Sequence, residues 1–138
     1  MSLEQNKAVL TRFVDFINTG QTTIADEVVA LDFLEHDPFP GQQPGREGLK
    51  AVILMIRAAF PDLEWVVDEM VAEGETVASH FTWRGTHREA FLGVPATGKR
   101  ITVTGMVFDR VVESQILMNT LALLTQLGAI ALPAQPPA

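Results

Sequence analysis

Three histidines and a handful of carboxylates are the side chains best suited to proton chemistry in this chain. His36 stands in Phe33-Leu34-Glu35-His36-Asp37-Pro38, where a short strand would run into a proline loop. A histidine at such an edge is a candidate acid/base or hydrogen-bond donor at the mouth of a pocket. The bland alternative is a histidine that pins the loop through backbone carbonyls. His80 lies inside Val77-Ala78-Ser79-His80-Phe81-Thr82-Trp83-Arg84. Strand alternation puts His80, Thr82 and Arg84 on one face and Ser79, Phe81 and Trp83 on the other. The apolar set belongs in the core, so His80 points outward, toward solvent or a second subunit. His87 follows Gly85-Thr86 and reads as a turn histidine. Asp109 interrupts Val107-Phe108-Asp109-Arg110-Val111 and shares a face with Val103, Gly105 and Val107. If that face is inward, Asp109 is a desolvated carboxyl, usable as a general base. If not, it is a surface partner for an arginine.

Other chemistries lack their residues. There is no cysteine and no tyrosine. That removes thiol catalysis, disulfides, thiolate metal sites and any tyrosine donor. The histidines lie 44 and 7 residues apart, not in an HExxH or HxH pair, so no metal is expected. No nucleophile elbow or glycine-rich phosphate loop is present. The net charge is −7 and the ten basic residues are scattered, which argues against nucleic acid. No apolar run reaches the roughly 18 residues of a membrane helix, and no secretory signal is visible. A cytoplasmic protein is the expectation.

The elements that must position these groups fall into two blocks. Helical spacing of Val9, Leu10, Phe13, Val14, Phe16 and Ile17 predicts an amphipathic helix over 4–18. A second helix is expected from Thr22 or Thr23 to Ala30, a short strand over 31–36, a Pro/Gly-rich loop over 37–45 and a third helix over 45–60. Strands are expected over 63–72, 76–86 and 101–112, with a turn at 73–75 and a long connection over 87–99. The segment 117–127 reads as a strand passing into a short helical turn, and the tail 130–138 as an extended or disordered end. Helices grouped before strands mean α+β, in one domain over residues 4–129. A curved sheet with helices across its mouth leaves an apolar cone where a small ligand fits.

Several blocks carry a family likeness. Asn18-Thr19-Gly20, Phe33 to Pro38, Pro44 to Lys50, Ala58 to Leu63, Gly85-Thr86-His87, Phe91 to Lys99 and Gln126-Leu127-Gly128 resemble the SnoaL-like polyketide cyclase (ester cyclase) family. The resemblance implies the nuclear transport factor 2-like cone, a homodimer through the outer sheet face, and ring closure by an aldol reaction with no metal or cofactor. Relatives use a histidine on the strand equivalent to 105–110 and an aspartate on the last strand. Those positions fall here at Val107 and Ile116, neither of which moves a proton. Asn119 is the nearest polar residue beyond Ile116. The connection 110–114 is about five residues shorter than is usual, through a tight hairpin or through missing residues. His36, Asp109 and Asn119 are therefore the candidate catalytic residues. Phe13, Phe33, Trp83, Val107, Ile116 and Met118 are the candidate ligand-binding ones. The function expected is binding of a small hydrophobic, carbonyl-bearing molecule, with cofactor-independent cyclisation or isomerisation. A non-catalytic binding or dimerisation module is the first alternative. The second is an epoxide-hydrolase-like site of Asp109 with Arg84 or Arg110.

Overall fold

The computed structural model describes residues 2–110 and 112–130. Helix α1 (Leu3–Thr19) starts at a capping box, in which Ser2 and Gln5 satisfy each other's backbone amides. It stops at Gly20, whose left-handed φ of 73° a side chain would resist. Helix α2 (Thr22–Val28) and strand β1 (Leu34–Glu35) follow, then helix α3 (Gly45–Ala59). Strands β2 (Glu64–Glu73), β3 (Thr76–Thr86), β4 (Arg100–Asp109) and β5 (Glu113–Met118) form the sheet, and α4 (Thr120–Gln126) closes the chain.

The sheet order is β1-β5-β4-β3-β2. Every pair is antiparallel except β1 with β5, which is parallel. This is the expected α+β cone, with helices over one face of a five-stranded sheet. Asn18 fixes α1 to β2 by bonding both backbone groups of Trp65, at 2.7 and 2.9 Å. Arg57 of α3 donates to the carbonyls of Ile17 and Asn18 at 3.1 and 2.9 Å, capping α1 from the neighbouring helix.

The inner face is built by alternation. Val77, Ser79, Phe81 and Trp83 are buried, while Ala78, His80 and Arg84 lie outward. Gly105 has a steric reason: a Cβ there would strike the Phe81 ring and the Leu117 carbonyl. Phe81 uses that gap and stacks on Trp65 with centroids 4.1 Å apart. The outer face carries exposed Val71, Met106, Phe108 and Leu117, where a second subunit was expected.

Three boundaries differ from the sequence reading. Strand β5 begins at Glu113, not Leu117, and most of 117–127 is helix. The reason is the hairpin: Arg110 N–H donates to the Glu113 carbonyl at 2.8 Å, and only residues 110–112 separate β4 from β5. Without an Asp-Gly turn signal that hairpin is invisible in the sequence, and β4 accordingly ends at Asp109, before the expected Val112. Strand β1 shrinks to two residues because only Leu34 and Glu35 pair with β5. The expected tail lies outside the described residues from 131 onward.

Candidate functional site

A cavity lies between the sheet and the helices, with about 140 Å³ open to the centre of a water-sized sphere. One water needs roughly a tenth of that, so the space is sized for a small organic molecule. One wall is aliphatic and aromatic: Phe13 and Ile17 from α1, Leu49, Val52 and Ile56 from α3, and Phe33 before β1. The floor is the inner face of the sheet: Trp65, Val67, Val107, Ile116 and Met118.

Strand register orders the floor into rows. Phe81, Gly105 and Met118 form one row across β3, β4 and β5. Ser79, Val107 and Ile116 form the next. Val77, Asp109, Ser114 and Glu35 form the third, across β3, β4, β5 and β1. Polarity is confined largely to that end, with Asn6, Asp37 and Ser79 close by in the cavity wall.

Asp109 is therefore inward, at the polar end of an apolar space. Burial pushes its carboxyl up to about 7 from an ordinary 3.8, and the charge of Glu35 adds to the rise, while the Ser114 hydroxyl opposes it. The side chain keeps some accessible surface because the cavity beside it admits water. The protein atoms packed around it are what raise the pKa, since ionisation must occur without bulk solvation. Burial raises Glu35 as well; the backbone of Asp37 and the Ser114 hydroxyl oppose that rise. Ser114 is 4% exposed and stands between the two carboxyls. Its hydroxyl favours the ionised form of either carboxyl and so works against the rise that burial causes in both.

The other sequence candidates are dispersed. His36 is not in the cavity wall; its Nε2 meets Glu113 Oε2 at 2.7 Å on an exposed edge. Alternation explains this, since Glu35 and His36 must face opposite ways and Glu35 takes the inside. Asn119 caps α4, its side-chain oxygen accepting from Ala122 N–H at 3.0 Å. It is not in the wall either. Trp83 is 1% exposed and packs edge-on against Phe60 at 5.1 Å, beyond the cavity's end. Phe13, Phe33, Val107, Ile116 and Met118 do line the space. His80 lies on the outer face, 3.2 Å from Asp68. His87 is wholly buried, stacked on Phe60 and joined to Thr97 at 3.0 Å, where it pins the 87–99 connection. Of the two arginines weighed with Asp109, Arg110 donates to Thr76 and Glu113, and Arg84 faces outward. Sequence reasoning passed over Glu35, Ser114 and Ser79. Among the described residues no three His, Asp or Glu side chains approach closely enough to hold a metal ion.

Comparison with known proteins fits this architecture. Residues 7–127 match the SnoaL-like polyketide cyclase family. The chain belongs to that family. It is 29% identical over 115 residues to aklanonic acid methyl ester cyclase DnrD of Streptomyces peucetius, covering 78% of this chain and 77% of that one. Among solved structures it is similar to IdmH of Streptomyces antibioticus, with 31% identity, a TM-score of 0.78 and coverage of 90% and 99%. TsrD of Streptomyces laurentii shares the fold at a TM-score of 0.87, with 24% identity over 94% of this chain and 99% of that one. In this SnoaL-like chain Val107 and Ile116, the positions where the resemblance leads one to expect the proton-moving pair, are direct cross-strand partners on the cavity floor. The next inward pair along the same two strands is Asp109 and Ser114. The ionisable group thus sits one pleat repeat, roughly 7 Å, from the position the resemblance implies.

Proposed function

We propose that this chain binds an uncharged, hydrophobic carbonyl compound and moves a proton to and from the carbon beside the carbonyl, without a cofactor. Asp109 is the acid/base group. The observation that carries the reading is the inward carboxyl of Asp109, which shares the polar end of a largely apolar cavity with Glu35 and lies one row from the paired positions Val107 and Ile116. Four acidic residues, Glu35, Asp37, Glu75 and Asp109, line the space against one arginine, Arg110. An anionic ligand would be repelled there, so the substrate is a neutral ketone or ester.

The step follows from the chemistry of a carboxylate in a dry site. Asp109 removes a proton from the α-carbon; the C–H pair moves into the carbon framework and charge collects on the carbonyl oxygen as an enolate. Ser79, on the adjacent row and 4% exposed, is the hydroxyl placed to donate to that oxygen. Ser114 is less suited because two carboxyls compete for it. Attack of the enolate on a second carbonyl of the same molecule closes a ring, and the proton held by Asp109 returns to the new alkoxide. Where the enolate is conjugated, return of the proton from Asp109 to a different carbon gives isomerisation instead. A carboxyl with a pKa near the working pH serves both directions.

The test is exchange of the methyl protons of acetophenone in heavy water, followed by proton NMR. Wild-type protein is expected to accelerate exchange, and Asp109→Asn to lower the rate by about 100-fold or more. Equal rates for the two proteins would remove Asp109 from the chemistry. Acetophenone bound without exchange by wild type would leave a binding module.

A further inference from the structure

Phe39 is the aromatic ring that closes the cavity on the side away from Asp109. Strand register fixes the direction. Asp109 pairs with Val77 near the start of β3, while Gly85, near its end, has Phe60 packed where a side chain would be. Phe60 stands edge-on to Phe91 with centroids 5.1 Å apart, and Phe91 meets Phe39 at 5.7 Å. Of these three rings only Phe39 lines the cavity. The loop agrees: β1 runs parallel to β5 from the Glu35–Ser114 pair, so Asp37 already reaches Ile116 and Phe39 follows it away from the polar row.

This wall has little room to yield. Phe60 and Phe91 are buried, and the hairpin that presents Phe91 is closed by two bonds with Val94, both 2.9 Å. Phe39 itself sits in a doubly closed turn. Its carbonyl accepts from Gln42 N–H at 2.9 Å, and its N–H donates to Gln42 Oε1 at 3.0 Å. Behind the turn, the Gln43 carbonyl abuts α3 at Gly48. A longer ligand must therefore unstack a close-packed aromatic cluster. The cavity that Phe39 closes measures about 140 Å³. An apolar cavity of roughly 150 Å³ takes one benzene-sized molecule.

We propose that Phe39 is a specificity-determining residue that limits the ligand to a single ring between Asp109 and the 39–42 turn. A second ring attached opposite the carbonyl runs into the Phe39 side chain. The inference rests on the reading of Asp109 as the group that meets the ligand carbonyl.

Isothermal titration calorimetry of acetophenone and 4′-phenylacetophenone tests it, with wild type, Phe39→Ala and Phe39→Leu. The second ring adds apolar surface, so without a limit on length the longer ligand binds more tightly. Wild type is instead expected to bind it at least about tenfold more weakly than acetophenone. In Phe39→Ala that order is expected to reverse. Phe39→Leu, which removes the outer edge of the ring and keeps an apolar contact with Phe91, gives the same reading should the alanine variant fold poorly. Wild type that binds the longer ligand as tightly as acetophenone, or more tightly, overturns the role of Phe39 and leaves the carbonyl site standing. So does an exclusion that persists in both variants. Failure of wild type to bind acetophenone overturns both.

Discussion

Asparagine at position 109 is expected to make the protein more stable and less active, with the gain in stability appearing only as pH rises. The sign follows from the raised pKa. Below about pH 4 the carboxyl is protonated in both folded and unfolded chains and contributes no penalty. Between about pH 4 and 7 the unfolded chain ionises while the folded one retains its proton, so stability falls as pH rises. Above about pH 7 the folded protein carries the full penalty of a charge in a poorly solvated place. A rise from 3.8 to about 7 corresponds to an upper bound of about 4 kcal/mol. Asparagine does not titrate. The melting temperatures of wild type and Asp109→Asn should therefore coincide near pH 4 and separate toward pH 8, by up to roughly 10 °C for a domain of this size. Comparing the two proteins cancels carboxyls with the opposite trend. Asp62, lowered by the Thr86 backbone and hydroxyl, stabilises above its unfolded pKa and loses this as pH falls. Parallel melting curves at every pH would mean that Asp109 ionises as an ordinary surface aspartate.

Gly48→Ala is expected to cost at least about 3 kcal/mol, although it introduces a better helix former. Propensity alone would favour alanine inside α3 by about 1 kcal/mol. The contact outweighs it: Gly48 is buried, and a Cβ would fall on the carbonyl of Gln43. A backbone carbonyl cannot rotate away as a side chain can. The loop ending at Pro44 would have to lift, and it carries Asp37, Phe39 and Gln42 of the cavity wall. Asp37 also holds β5, accepting from Ile116 N–H at 3.1 Å. Urea unfolding should show a lower midpoint with an unchanged slope. A midpoint raised by the propensity difference would show that the loop is not packed against α3 in this way.

Both predictions depend on features unequally visible in the sequence. Asp109 was legible because four residues of strict alternation, Val103, Gly105, Val107 and Asp109, set its face. Glu35 was not, because β1 is only two residues long and its side is fixed by parallel pairing with β5, nearly eighty residues later. Beside it His36 drew attention by type, since histidine titrates near neutrality and glutamate ordinarily does not. Only the fold supplies the burial that reverses that judgement. Trp83 shows the other limit of alternation. The pattern gives the face of a strand but not the depth along it. Val77 and Ser79 lie under the cavity, while Trp83 is past its end and beneath Phe60. Asn119 carried a helix-start signature, a capping side chain before Thr120-Leu121-Ala122, which the strand reading of that segment hid. The blocks shared with the family span helices, loops and strands alike, which is why the overall cone was readable, while the burial that marks out the position of Asp109 came only with the fold.

That position is the centre of the account, and carbon NMR titration of the Asp109 side-chain carboxyl measures it directly, with Asp109→Asn used to assign the resonance. A midpoint at about 7 is expected. A midpoint near 4, the value of a solvated aspartate, would contradict it.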